Sequence, residues 1–438
     1  MGFLHGLSIA MGANAILFVL SFLNNKLIYL YLSPDQNGVF FLIMRYSMLV
    51  ALVFGEWLRL TNVNIAGVSK SLTRTLAANI LVYVLLVIFV LVSVFVLFPG
   101  ASERIFPGVP VVFFGAILAA GICLMIRNLF QSLLLVNNRM FHYGFAFVLW
   151  GSVFLLFDIL FVIILHRELD AVVAVFVVSS AAAALWALGS TIRFHGFAWR
   201  PSRSVFGRSC RLGVRAAIAV IGMFLMLNVH TFVLEPFARD TGRGLAMVAL
   251  FSVCFRIYQL FQRGADVIGT ILFPTVAQQE AQTGFRTTIL VCRNLFWGMV
   301  FATIIGGIFG KLIIHIVSDV TYLDAYRPLL VMLPGIVMVT TGSLFNTAYW
   351  AQNYPFKVIL APYFATAFGL LLNMVFIPRF GVIGATASFT LMSAVWFLYI
   401  ILVFKHDSHY RFSELLIPRL ADIRYVYGRI KTFKARWR

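Results

Sequence analysis

The sequence predicts an all-α polytopic membrane protein of about twelve transmembrane helices. They form two six-helix lobes related by a pseudo-two-fold axis along the membrane normal. Three observations predict this. The first is composition: of 438 residues, 62% are hydrophobic and 11% charged, with mean hydropathy +0.97, whereas a soluble chain carries about 25% charge. Apolar runs of about 20 residues, each enough to cross a bilayer, recur from end to end, and no short alternating strands suggest a β-barrel. The second is the placement of lysine and arginine in alternate connections. The third is an internal repeat: Leu23–Leu30 (LNNKLIYL) is echoed by Leu227–Leu234 (LNVHTFVL), and Asn37–Tyr46 (NGVFFLIMRY) by Val248–Ile257 (VALFSVCFRI). The offsets differ by seven residues, one longer connecting loop. The pairing sets Arg45 on Arg256 and Lys26 on His230, so each half uses one helical hairpin with a basic group aimed inward.

Twelve spans follow in order, at about 7–32, 38–60, 75–98, 111–136, 142–165, 170–192, 213–235, 245–276, 287–317, 328–352, 356–377 and 383–404. The connections after even-numbered spans hold Arg59, Lys70 and Arg74, then Arg193, Arg200, Arg203, Arg208, Arg211 and Arg215, and finally the tail from Lys405. The opposite connections are mixed or acidic, with Asp35, Glu103, Arg104, Arg167, Glu168, Asp170, Asp319, Asp324 and Arg327. By the positive-inside rule both termini are cytoplasmic. The same rule accounts for the net charge of +19, which in a soluble protein would point to nucleic acid.

The expected domains are an N-terminal lobe (1–192), a basic cytoplasmic linker (193–212), a C-terminal lobe (213–404) and a basic cytoplasmic tail (405–438). After Pro418 the tail can form a helix with Ile423, Val426, Tyr427 and Ile430 on one side, suited to an anionic leaflet; a plain positive-inside anchor is the other reading. Both halves start inside, so the repeats are parallel, an arrangement that puts a substrate site between them. Cys123, Cys210, Cys254 and Cys292 show no metal or redox spacing and act as small hydrophobes. The N-terminus lacks the basic start of a cleavable signal peptide.

Ionised groups at mid-bilayer are costly, about 2.5–3.5 kcal/mol each on insertion scales. Lys26, Arg45, Glu56, Arg127, Asp158, Arg256, Arg263, Asp266 and Lys311 all fall inside spans, so they should face a watery cavity or one another. Lys26, Arg45 and Arg256 fall at a similar depth near the outer end. Their excess over nearby acids suggests an anionic ligand such as phosphate or pyrophosphate; pairing with internal acids or backbone carbonyls is the alternative. Glu56 with Arg59, and Asp266 with Arg263, stand at i,i+3 and are expected to pair near the inner mouth. Arg127, Asn128 and Gln131 on span four, and Gln259, Gln262 and Arg263 on span eight, could line a polar path for sugars or glue helices together. His230 reads as a hydrogen-bonded core histidine more readily than as a switch, although its place by the cavity keeps it among gate candidates. Pro334-Gly335 offers a hinge in span ten, with lipid-facing tolerance as the bland reading.

No GxxxxGK[ST], HExxH or DxD motif is present, and no outer loop could house a catalytic site. Enzyme and ATPase classes, including a polysaccharide polymerase or ligase, therefore lose ground.

Ile377–Ala385 (IPRFGVIGA) resembles the IPxFGxxGAA segment of the O-antigen and exopolysaccharide flippases, the polysaccharide branch of the multidrug/oligosaccharidyl-lipid/polysaccharide exporter superfamily. LFPTVAQ at Leu272–Gln278, MLPGIV at Met332–Val337, NTAYWAQNYPFKV at Asn346–Val358 and SPDQNGVFFLIMRY at Ser33–Tyr46 support the resemblance in order and spacing. It implies two six-helix lobes around a cationic cavity and transport of an isoprenoid-pyrophosphate-linked oligosaccharide from the inner to the outer leaflet of a bacterial inner (plasma) membrane. It also implies that basic groups on spans one, two and eight hold the pyrophosphate; Lys26, Arg45 and Arg256 stand there. Lys26 departs from the family arginine. His230 departs from an expected acid or polar group, which weakens any borrowed ion-coupling scheme. No cofactor is called for; a coupling ion (H+ or Na+) or the membrane potential is the energy source. Expected partners are the lipid-linked substrate and membrane lipids, with a polymerase and chain-length machinery as candidates, and the protein should work as a monomer. A cation-coupled multidrug exporter of the same superfamily is the main alternative, but it should carry an acidic rather than a basic cavity.

Overall fold

The structure, a computed structural model, describes residues 3–97, 100, 105–196, 199–240, 245–277, 279–351 and 355–417. These are helical throughout, with no strand among the described residues. The spans are α1 (Phe3–Tyr31), α2 (Pro34–Ala51, carried on by a π-helical turn at Leu52–Glu56 into Trp57–Val68), α3 (Thr73–Leu97), α4 (Phe114–Val136), α5 (Met140–Asp158, ending in a π-helical turn at Ile159–Ile164) and α6 (Leu169–His195). The second lobe has α7 (Arg203–Asp240), α8 (Ala246–Ala277), α9 (Ala281–Ile308, offset at Phe309 into Gly310–Val317), α10 (Tyr326–Ala351), α11 (Phe356–Phe380) and α12 (Val382–Ser408). A short α13 (Phe412–Leu416) follows.

Local chemistry explains where these helices turn. Ser33 accepts a hydrogen bond from the Gln36 backbone and donates its own N–H to Gln36 Oε1, with Pro34 at the first helical position. That capping box starts α2 directly after α1. Gly381 takes φ +57° between α11 and α12, and a Cβ on Gly384 would meet the Phe376 carbonyl at 2.3 Å. The glycines of IPRFGVIGA are thus the physical requirement of a tight helical hairpin. Pro334 lies inside α10, where it has no backbone N–H to donate, and Thr390 Oγ1 donates to the Val331 carbonyl (2.6 Å) in the same turn.

Within the first lobe α1 packs on α5, α2 on α4, and α4 on α6; within the second, α7 packs on α11 and α10 on both α8 and α12. Between lobes, the first part of α2 lies against α8 and its second part against α7. In its most apolar window α2 is 72% buried while α3 is 22% buried, so α2 is central and α3 faces lipid with Leu85, Phe89 and Val96 outward. Ten helices among the described residues are long and apolar enough to cross a membrane, and the shorter apolar Ala15–Tyr31 belongs to α1.

Two boundaries differ from the hydropathy reading. The basic linker drawn at 193–212 is mostly helix, because α6 runs to His195 and α7 begins at Arg203. Arginine is a good helix former, so α7 projects beyond its apolar part, and hydropathy registers only the apolar part. The ninth span breaks at Phe309, leaving Lys311 exposed with its ammonium 5.5 Å from the Tyr326 ring. The tail helix expected after Pro418 lies outside the described residues.

Candidate functional site

The two arginines that the repeat equates come together where α2 meets α8. Arg45 is 5% exposed. Its guanidinium carbon sits 4.7 Å from the Phe41 ring centroid and 4.3 Å from that of Phe255, and its Nε has no hydrogen-bond partner. Cation–π contact with two rings offsets part of the cost of burial. Arg256 is near enough for the two positive charges to oppose each other. Its Nε donates to Tyr29 Oη (3.0 Å). Neither arginine forms an ion pair with a carboxylate among the described residues.

Around Arg256 a polar relay crosses the seam. Tyr29 of α1 shares a hydrogen bond with Ser252 of α8 (2.7 Å), whose hydroxyl in turn donates to the Ala249 carbonyl (2.7 Å). Tyr29 packs edge-on to Tyr322 at 4.9 Å, and Asn37 of α2 donates to Tyr322 Oη (2.6 Å). Tyr29, Asn37, Ser252 and Tyr322 are all buried. One turn further out, Asp35 Oδ1 accepts the backbone N–H of Ala246 (2.8 Å) and so caps α8 from the opposite lobe. A Cβ on Gly38 would meet the Leu245 carbonyl at 2.3 Å. The lobes are therefore sealed at their predicted outer end.

Lys26 belongs to this seal rather than to the arginine pair. Its ammonium donates to the carbonyls of His315 and Ser318 at the end of α9, the backbone-carbonyl alternative left open by the sequence. A cation there also suits the negative end of the helix. Asp319 beside it is held below the usual carboxylate range, first by the Val320 backbone N–H, then by Thr321 and by the Lys26 charge.

The remaining candidates divide by lobe. Glu56 and Arg59 form the expected i,i+3 ion pair. With Arg127 they lie near Tyr143 of α5. Arg127 donates to Asn128 Oδ1 (3.2 and 3.1 Å) and covers the Phe147 ring. Gln131 is buried and donates to the Tyr143 carbonyl (2.6 Å), so it joins α4 to α5 and does not line a path. On α8, Asp266 and Arg263 do not make the expected pair: Asp266 accepts from Gln262 (2.8 Å) and Arg263 lies over Phe18 of α1 at 5.7 Å. The i,i+4 amide reaches the carboxylate, and an aromatic face across the seam takes the guanidinium. Gln259 is half-buried on the same helix. His230 is fully buried between lobe-two helices, with Nδ1 3.1 Å from Asn373 Oδ1 and the Phe389 ring at 5.5 Å. It is a core histidine and no part of a cavity wall.

Sequence reasoning missed the relay. Tyr29 matches Val233 in the repeat, so the internal echo carries no sign of it. It also left Asp158 without a setting: this carboxyl is fully buried beside Asn24 of α1, just before the π-helical turn of α5, and both of its oxygens lack a hydrogen-bond partner.

No family model matches the chain, and no curated protein matches it. Solved structures do. One is a multidrug resistance MATE family transporter of the MOP superfamily in an inward-facing conformation, with TM-score 0.70 and 15% identity over 92% of this chain and 99% of that one. Another is the lipid II flippase MurJ in an inward closed conformation, with TM-score 0.69 and 14% identity over 91% and 90%. An outward-facing MATE family transporter aligns at TM-score 0.62 and 16% identity over 93% and 96%. The chain has the two-lobed fold of these transporters.

Proposed function

We propose that this protein is a flippase in a bacterial inner membrane, with both termini cytoplasmic. It moves an isoprenoid-pyrophosphate-linked oligosaccharide repeat unit to the outer leaflet by alternating access, for O-antigen, exopolysaccharide or capsule synthesis. The observation that carries this reading is that Arg45 and Arg256 stand near enough across the lobe seam to oppose each other, neither of them ion-paired with a carboxylate among the described residues. Two uncompensated guanidinium groups in a membrane interior favour a dianionic ligand, and their planar donors suit phosphate oxygens. The shared fold of a lipid II flippase supports the same class of cargo.

In this reading the arginines hold the pyrophosphate, while Arg59, Arg127, Gln259 and Arg263 face the sugars and the isoprenoid tail stays in the bilayer. Arg256 links cargo to gate. Its Nε is spent on Tyr29 in the sealed form, so an anion drawing Arg256 toward Arg45 competes with the outer seal. Binding then lowers the cost of opening outward, which is the differential affinity that alternating access needs. Lys26 leaves the α9 carbonyls when the seal parts and becomes a further cation at the outer mouth.

The test is genetic. Arg45→Ala and Arg256→Ala, each at normal protein level, are expected to lose surface polysaccharide and accumulate lipid-linked repeat units. Normal polysaccharide in both would overturn the assignment. Gain of drug sensitivity with normal polysaccharide would instead favour a multidrug exporter.

A further inference from the structure

Away from the seam, the C-terminal lobe contains an apolar cavity of about 530 Å³ between α9, α10 and α12, within the usual range for a bound organic ligand. It exists for identifiable reasons. Thr303 and Gly307 on α9 and Ala394 on α12 are too small to fill the space, and Pro334 lines it from α10. Helix α13 closes one end with Phe412 and Leu416. That helix is tied down by Arg293 Nη1 donating to the Glu414 carbonyl (2.8 Å) and Trp297 Nε1 donating to the Leu416 carbonyl (2.7 Å). Ile304, Leu330 and Leu398 line the cavity and are also exposed, so it opens on the lipid-facing surface.

We propose that this cavity holds one acyl chain of an anionic phospholipid, whose headgroup is held at the predicted inner face by Arg286, Lys405 and Arg411. An apolar cavity of this size does not take water, and in a spanning lobe the available filler is hydrocarbon. The tail alone gives little selectivity, since lipid is as apolar as the leucines it meets; the rim supplies it. Arg286, Arg293, Val300 and Gly307 recur every seven residues along one face of α9, and Lys405 lies two turns from Leu398 on α12. Arg411 directly precedes Phe412 of the floor. All three rim cations are exposed and form no ion pair among the described residues. The nearby acids are engaged elsewhere: Glu414 Oε2 accepts the Arg411 backbone N–H (2.9 Å), and Asp407 takes Lys357 (2.6 Å), Tyr349 (3.0 Å) and the His406 ring (3.1 Å). The site is independent of the transported substrate. Its occupant would lie against Pro334 of α10, so an ordered chain there would stiffen α10 at that proline.

Native mass spectrometry of the delipidated full chain, titrated with phosphatidylglycerol or phosphatidylcholine, tests this. The wild type is expected to retain one phosphatidylglycerol about tenfold more tightly than phosphatidylcholine. The preference rests on the rim charge, so K405E/R411E, at exposed positions, should erase it. Ala394→Phe should lower retention of both lipids with the rim unchanged. Equal retention of the two lipids by the wild type, or unchanged preference in K405E/R411E, would overturn the proposal. Stoichiometric displacement of phosphatidylglycerol by a polyprenyl phosphate would overturn it in favour of the substrate's own tail.

Discussion

Tyr29→Phe should open the outer seal while leaving both arginines of the proposed anion site in place. The substitution removes one oxygen and keeps the ring contact with Tyr322. Two hydrogen bonds go with it: the charge-assisted one from Arg256 Nε and the neutral one to Ser252. A hydrogen bond to a charged group contributes about 1.5–3 kcal/mol and a neutral one about 0.5–1.5. Ser252 keeps its bond to the Ala249 carbonyl, so it is not orphaned, and the lower end of the sum applies. A loss of about 2 kcal/mol is roughly a thirtyfold shift in an equilibrium. An outward-open form present at about 1% would rise to about a quarter of molecules. Spin labels at Asp170 and Asp324, exposed positions on outer connections of opposite lobes, report the opening as a second, longer distance. An unchanged distance distribution in a well-folded variant would refute the role given to the relay.

Four further outcomes follow from the same geometry. Arg45→Met should stabilise the purified protein in thermal melts by about 1–2 kcal/mol, because a buried unpaired charge is replaced by an apolar side chain, while polysaccharide export is lost; destabilisation with retained export would contradict the reading. Gln131→Ala should do the reverse, costing about 0.5–1.5 kcal/mol through the lost hydrogen bond to the Tyr143 carbonyl with transport per folded molecule unchanged. In proteoliposomes an imposed potential, negative on the side of cargo entry, should speed flipping, since 100 mV is worth about 2.3 kcal/mol per charge moved; no response would discard the potential as energy source. Asp319 has a lowered carboxyl, so its contribution to the outer seal is fully present above its unfolded value of about 3.9 and fades only as pH falls below it. The stability difference between wild type and Asp319→Asn should accordingly be flat from pH 5 to 8, and a slope in that window would show that another group controls the contact.

The fold was legible in the sequence because bilayer thickness imposes a length on every apolar run, and the charge count between runs imposes a direction. Arg45 and Arg256 were legible because the repeat relates the lobes and therefore relates the positions that face each other across the seam. The departures have equally local causes. Lys26 has a long flexible stem, and a helix end in the other lobe, close only in space, offered it carbonyls. Asp266 had both Arg263 and Gln262 within one turn, and the choice went to the amide because Phe18 of α1 took the arginine. Gln131 reads as polar lining by position along α4, yet its partner is a carbonyl twelve residues on, across a hairpin turn. Tyrosine carries no strong hydropathy signal in a span, so the relay through Tyr29 and Tyr322 could be read only from coordinates.

The seam also constrains how cargo can be released. If both arginines were neutralised by carboxylates, the lobes could separate or close with little change in electrostatic energy, and an anion would gain nothing by binding. Here Arg45 is enclosed by Phe41 and Phe255, one ring from each lobe, so separating α2 from α8 removes one face of its cation–π cage while admitting water. The cost of losing a ring, about 0.5–2 kcal/mol, is offset by hydration of the charge, and hydration weakens its hold on a bound phosphate. If Arg45 holds the cargo as proposed, outward opening loosens it there, and reclosure restores the aromatic cage only after the anion has left. Phe255→Leu should then slow the empty return more than loading or release, giving a form that still binds a soluble pyrophosphate analogue but turns over slowly, measured as tight binding with reduced flipping in the same proteoliposomes. Weakened binding with unchanged turnover would place Phe255 in the ligand contact itself and remove it from the return step.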